Sequence, residues 1–297
     1  WVTGSVSFST EIDAAGPNVW STGGALATGR ICLAGAGTQT AGLAFGGRDS
    51  GGVVACTEEY NGASWSAGGN LSTVRVSLAG AGTQTAGLTF GGIHPGNVAR
   101  ACTEEYNGAS WSVGGDLSTA REHHAGAGTQ TAGLAFGGAY VITLLDCTEE
   151  YNGATWSTGG ALATARCCLA GAGTQNAGLA FGGIASSTRV SCTEEYDGAS
   201  WSAGGNLTTA RGSLAGAGTQ TAGLTFGGSA PALVVCAEEY NGATWSTGGA
   251  LITARYSLAG AGTQSSALAF GGTGISGAST ATEEYNPGTS LQTITTF

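Results

Sequence analysis

The sequence predicts an all-β fold, a six-bladed propeller with four antiparallel strands per blade, and three observations carry that expectation. The string Glu-Glu-Tyr recurs with its tyrosine at Tyr60, Tyr106, Tyr151, Tyr196, Tyr240 and Tyr285, at spacings of 46, 45, 45, 44 and 45 residues. Tryptophans at Trp20, Trp65, Trp111, Trp156, Trp201 and Trp245 keep the same period, as do arginines at Arg30, Arg75, Arg121, Arg166, Arg211 and Arg255. Within each unit, short apolar runs are separated by turn residues, with no helical periodicity. A repeat near 45 residues with four strands describes blades packed face to face about an axis.

The second unit shows the elements in order. Strands are expected at 76–82, 86–90, 102–106 and 110–112. The first, rich in Ala and Gly, suits the crowded axis, whereas Leu and Phe fill the wider space between blades. Asn107-Gly108 joins the last two strands, because both residues tolerate positive φ and close a tight hairpin. Ring closure is expected from the N-terminus. Residues 10–20 read as a degenerate copy of the third and fourth strands, so Trp20 with residues 21–24 should form the outer strand of the last blade beside 282–285. Residues 291–297 are then expected against 2–8. The whole chain, 1–297, reads as one propeller: a closing segment to residue 24, repeats from 25 to 290, and a short tail.

Composition narrows the function classes. The chain has 56 glycines, no Lys or Met, and a net charge of −10, which argues against nucleic acid and anionic membrane surfaces as partners. No apolar run reaches the roughly 18 residues that span a bilayer. The start at Trp1, without an initiator Met or a signal-like segment, reads as a mature product or fragment.

A family resemblance rests on Phe45-Gly46-Gly47 followed by Tyr60 and Trp65, a pattern that resembles the kelch motif and covers almost the whole chain. Tyr60 and Trp65 are closer together than in usual kelch repeats, and the loops are shorter. The near-identical Leu-Ala-Gly-Ala-Gly-Thr-Gln-Thr-Ala-Gly-Leu units also resemble tandem repeats of bacteriophage tail or fibre proteins. That likeness implies a virion component, while a free-thiol reading of the cysteines fits assembly in a reducing cytoplasm.

The residues able to carry chemistry are mostly sixfold. Glu58, Glu104, Glu149, Glu194, Glu238 and Glu283, or the Glu that follows each, lie on strands whose two faces meet neighbouring blades, so they need cationic partners. Arg30, Arg75, Arg121, Arg166, Arg211 and Arg255 are those partners, forming structural ion pairs. Cys56, Cys102, Cys147, Cys192 and Cys236 share one position and read as buried free thiols, being too far apart for disulfides. Cys32 and Cys168 share another and are expected to reach third-strand thiols of adjacent blades. His123 and His124, with Cys168, form a weak candidate metal site on the axial strand, set against polar channel lining. The Gly-rich strings lack the following helix and Lys of phosphate loops. The His set for a copper-radical oxidase and the Arg cluster and Asp boxes of sialidases are also missing. The chain is therefore expected to be no enzyme and to need no cofactor.

Variation between the units concentrates in the segments from the second to the third strand, while the Thr-Gln-Thr and Asn-Gly-Ala turns hardly change. Loops diversified on a constant scaffold suit a recognition surface, although unconstrained drift gives the same pattern. The candidate ligand-binding residues there are Arg48, Asp49, His94, Arg100, Tyr140, Asp146 and Arg189, and a glycan or a protein is the expected partner. A structural subunit of a larger particle is the alternative, and a glycan-processing enzyme a third reading.

Overall fold

The computed structural model describes residues 9–295, with side chains from 18 to 288. Six four-stranded antiparallel sheets form a closed ring. Blade 1 is built from Ala34–Thr38, Ala41–Phe45, Thr57–Tyr60 and Trp65–Ala67, running from the axis outward. Blades 2 to 5 repeat it, starting at Ala79–Gly82, Ala125–Thr129, Ala170–Thr174 and Ala215–Gly218. In blade 2 the inner strand starts at Ala79 and not at residue 76, because Ser77 takes φ +58° and breaks the extended run. The other strands of that blade are Gly87–Phe90, Thr103–Tyr106 and Trp111–Val113.

Alternation places one large residue after another between blades. Leu43, Phe45 and Tyr60 have no exposed surface, and Phe45 meets Trp111 of the next blade edge-on at 5.0 Å. Burying each such side chain contributes about 1.5–3 kcal/mol, so each interface is chiefly apolar. At the axis the inner strands touch through glycine. A Cβ on Gly126 would lie 2.7 Å from Phe90 and 2.9 Å from the Gly80 carbonyl, so only glycine fits.

Polar side chains tie each blade to its neighbour in a repeating pattern. Tyr106 donates to Glu59 at 2.5 Å; Tyr151, Tyr196, Tyr240 and Tyr285 donate to Glu105, Glu150, Glu195 and Glu239, and Tyr60 closes the circle on Glu284, each at 2.6 Å. The second Glu of each pair thus serves tyrosine, and the first serves arginine. Arg30 pairs with Glu58 at 2.8 Å, Arg75 with Glu104 at 2.6 Å, Arg121 with Glu149 at 2.5 Å, Arg211 with Glu238 at 2.9 Å, and Arg255 with Glu283 at 2.8 Å. Arg166 pairs with Glu194 in the same way. All six guanidinium groups are fully buried. Each arginine sits on a connector between blades. The Arg75 N–H donates to Val54 O of blade 1, while its side chain reaches Glu104, Gly91 O and Cys102 O of blade 2.

This circle of phenols has a titration consequence. Burial, and then the hydrogen bond to glutamate, pushes Tyr106, Tyr151, Tyr196 and Tyr240 up to about 12, and raises Tyr60 and Tyr285. The neutral phenol is the form the fold favours, so this stability is complete below the unfolded tyrosine value near 10 and is lost as pH climbs through about 12. Far-UV circular dichroism should hold steady to about pH 10 and collapse together with tyrosinate absorbance before pH 12. The chain has eight tyrosines, so tyrosinate near pH 10 in a still-folded protein beyond what Tyr140 and Tyr256, the two outside the circle, can supply would contradict it.

The N-terminus closes the ring. Ser9–Thr22 pairs with Thr282–Thr295 as the outer strand of blade 6, with Trp20 opposite Tyr285 and Thr22 opposite Glu283. Trp20 packs on Phe226 at 4.9 Å and Tyr285 at 4.8 Å, the place Trp65 takes against Phe270 and Tyr60. In the other five interfaces the indole N–H donates to a threonine hydroxyl of the preceding blade at 2.9 Å, as Trp111 does to Thr57. Blade 5 has Ala237 there, and Trp20 turns to the Gly249 carbonyl at 2.9 Å. The register beyond the blade differs from the expected one. Leu291 lies opposite Asp13 and Thr295 opposite Ser9, so the C-terminal strand pairs with 9–13, and the 2–8 segment falls outside the described residues. Together they make a two-stranded ribbon that projects from the face carrying the Asn-Gly turns.

Candidate recognition face

The opposite face carries the diversified segments, and each is a small hairpin. In blade order the pairs are Arg48–Asp49 with Gly52–Val53, Ile93–His94 with Val98–Ala99, and Ala139–Tyr140 with Thr143–Leu144. Blades 4 to 6 continue with Ile184–Ala185 and Thr188–Arg189, Ser229–Ala230 and Ala232–Leu233, and Thr273–Gly274 and Gly277–Ala278. The double glycine aims them. Gly46 and Gly47 hold φ of +61° and +95°, and a Cβ on Gly47 would come within 2.9 Å of Ile31 O. The hairpin therefore leaves the second strand at a sharp angle and is anchored by the Ile31–Arg48 bridge.

These anchors lead to the axis. The residues after the bridges, Cys32, Ser77, His123, Cys168, Ser213 and Ser257, all have φ between +50° and +58°. Their backbones form a closed circle of hydrogen bonds: each N–H donates to the same residue of the preceding blade, at 2.7–3.0 Å, from Ser77 to Cys32 round to Cys32 on Ser257. Their side chains line an axial mouth of about 120 Å3, backed by Leu33, Leu78, His124, Leu169, Leu214 and Leu258. Cys32 and Cys168 thus face the axis and not a third-strand thiol, because the left-handed backbone turns them inward. Burial raises Cys32 and lowers His123, whose Nε2 lies 3.3 Å from Ser77 Oγ. His124 is buried in a leucine position, and burial holds it well below the usual imidazole value. Among the described residues no three His, Cys, Asp or Glu side chains are grouped to hold a metal ion, so His123, His124 and Cys168 do not assemble into one.

All eight cysteines are free thiols and half-buried, so the five third-strand thiols are not fully buried as expected. The third-strand thiols lie beside the connector arginines: Arg121 Nη2 reaches Cys147 Sγ at 3.1 Å and Arg211 Nη1 reaches Cys236 Sγ at 2.9 Å.

The seven candidate residues fall on the hairpins of blades 1 to 4, and the structure gives them different duties. Arg48 is exposed, but the Asp49 carboxylate accepts the N–H groups of Gly51 and Gly52 at 2.8 and 3.0 Å and holds its own turn. Arg189 donates to Ser229 Oγ from Nε at 3.2 Å and Nη2 at 3.1 Å, bridging two hairpins. Tyr140 and Asp146 are exposed on blade 3. His94 and Arg100 do come together, in a cleft of about 520 Å3 on blade 2. Burial, then the Arg100 charge, lowers His94.

Three features of this face were missed from sequence. Asp116 joins His94 and Arg100 in their cleft from a connector outside the variable loops. Ile142 and Ile275 stand 93% and 95% exposed at two hairpin tips. Their signal was available, since isoleucine in a short turn has no local reason to be there. No protein-family model matches the chain, and no curated protein matches it significantly.

Proposed function

We propose that the protein is a non-enzymatic recognition module that binds a glycan or a protein partner through the hairpin face. The carrying observation is that six hairpins of differing sequence are held on one side of a scaffold whose other contacts repeat from blade to blade. Charge supports it. Of nine arginines, with no lysine, six are locked in ion pairs and the other three, Arg48, Arg100 and Arg189, lie in the hairpin segments. The non-enzymatic reading rests on the carboxylates: the twelve glutamates of the Glu-Glu-Tyr strings recur in every blade, so none of them makes a singular acid–base pair. The kelch-like double glycine and the phage-like repeats suit an adhesion component of a tail or fibre.

Passing the protein over a glycan array, beside a variant with alanine at Arg48, Arg100 and Tyr140, tests the proposal. Binding that the variant loses by about tenfold or more supports the hairpin face, at 1.4 kcal/mol per decade. Binding that the variant keeps removes it.

A second reading, a structural subunit of a larger particle, is favoured by the projecting ribbon. Among the described residues its two strands pair beyond Tyr285 only with each other, and a two-stranded ribbon can accept a further strand at its edges.

A further inference from the structure

Three departures from the repeat converge on the blade 2 cleft. The first is Arg100. The N–H at its position donates to the second glycine of the hinge in every blade: Arg100 to Gly92 O at 2.8 Å, Val54 to Gly47 O, Leu145 to Gly138 O, Val190 to Gly183 O, Val234 to Gly228 O and Ser279 to Gly272 O. Four of the six are aliphatic and one is serine, so the fold does not need a cation there. Arg100 is exposed and takes no part in the six ion pairs.

The second departure is Asp116. It follows Gly114-Gly115 in the connector, where the other units have Ala25, Asn70, Ala161, Asn206 and Ala250. The third is His94, at a variable position held by Asp49 in blade 1, Tyr140 in blade 3, and Ala185, Ala230 and Gly274 in blades 4 to 6. Ser72 and Thr73 line the same cleft, as do Glu104, whose charge the repeat supplies and Arg75 neutralises, and Val113, which is 78% exposed. A comparable cleft on blade 6, of about 460 Å3, is lined without a single charged side chain. Whatever blade 2 holds, it asks for charge that the repeat does not supply.

The arrangement selects among anions. A guanidinium fork matches a carboxylate by two parallel hydrogen bonds. A dianionic phosphate would place a second negative charge against the Asp116 carboxylate, a repulsion that the effective dielectric near a protein surface only partly screens. A sugar with one carboxylate avoids this, since its hydroxyls donate to Asp116 while an apolar ring face rests on Val113. The cleft volume falls within the roughly 300–1,000 Å3 of small-ligand sites.

We infer that the blade 2 cleft binds an acidic sugar residue, a hexose unit bearing a carboxylate, with Arg100 receiving the carboxylate and Asp116 the hydroxyls. This rests on the hairpin-face reading and gives that face a ligand class. Isothermal titration of the full chain with glucuronate and galacturonate oligosaccharides, against their neutral glucose and galactose counterparts, tests it. The variants come from the protein's own repeats: Arg100→Val copies Val54, and Asp116→Asn copies Asn70, so both suit the fold. The acidic ligands should bind, with Arg100→Val weakening them about 10- to 100-fold, as for loss of a charged hydrogen bond. Asp116→Asn should weaken them less. Acidic oligosaccharides that bind Arg100→Val as well as the parent, or that bind no better than neutral ones, overturn the inference. If, in addition, the Arg48, Arg100 and Tyr140 variant keeps every array signal, the hairpin-face reading fails as well. Array signals lost in that variant but kept in Arg100→Val leave the face standing and remove only the acidic-sugar site.

Discussion

Arg121→Met should lower the unfolding free energy by about 3–5 kcal/mol, the usual result of removing one partner from a buried ion pair. The geometry explains the size. Arg121 donates to Gly137 O at 3.2 Å, Cys147 O at 2.9 Å and Glu149 at 2.5 Å, so one substitution takes the guanidinium donor from two carbonyls and leaves the Glu149 charge buried without its cation. Glu149 also accepts the Ser118 N–H and hydroxyl at 2.6 and 2.7 Å, which holds the connector to blade 3. Adding Glu149→Gln to Arg121→Met should recover part of the loss, because the uncompensated charge is gone while an amide oxygen still receives Ser118. Urea denaturation of the two variants reads both effects. A loss below about 1 kcal/mol for the single variant would place the pair with weak surface bridges instead.

Removing residues 1–24 should be more damaging still. The deletion takes away the outer strand of blade 6 and exposes the surfaces of Phe226 and Tyr285 that Trp20 covers. Trp20→Ala alone should cost about 3–5 kcal/mol, because the indole is 7% exposed and its removal leaves a cavity between two blades. At about 2–4 °C per kcal/mol, the substitution should lower the melting temperature by about 6–20 °C, and the deletion by more. Calorimetry decides it. A melting temperature unchanged by the deletion would mean that the ring does not depend on this closure.

The fold was legible wherever the sequence repeats. Period, strand count, Asn-Gly turns and the closing role of Trp20 could be read because six copies repeat one solution. The expected ribbon register was off because residues 10–20, read as a degenerate copy of the third and fourth strands, lie within one continuous strand, Ser9–Thr22, and neither 9–16 nor 288–295 shows a steady alternation to align them. The inner strands start late for a different reason. Serine, cysteine and histidine at a left-handed position carry no sequence signal of the kind glycine gives, so the axial circle of hydrogen bonds was not foreseen. Alternation placed Glu58 and Tyr60 on one face of the strand but left open which Glu meets arginine, since that depends on the path of a connector. The candidate site was legible as a face and not as a cleft. Variable loops located His94 and Arg100, whereas Asp116 reaches them by the packing of a segment that looked constant, and Asp49 and Arg189 serve turn and bridge geometry that composition does not reveal.

The axial circle of backbone hydrogen bonds also governs the mechanics of the mouth. Six links of one kind, all running in the same sense, act as a hoop: no blade moves outward without stretching the link on either side, and a load on one is shared round the rim. The aperture is thereby a fixed dimension of the backbone. What passes or lodges there is decided by three hydroxyls, two thiols and one imidazole, which can change from copy to copy while the hoop that carries them stays the same size.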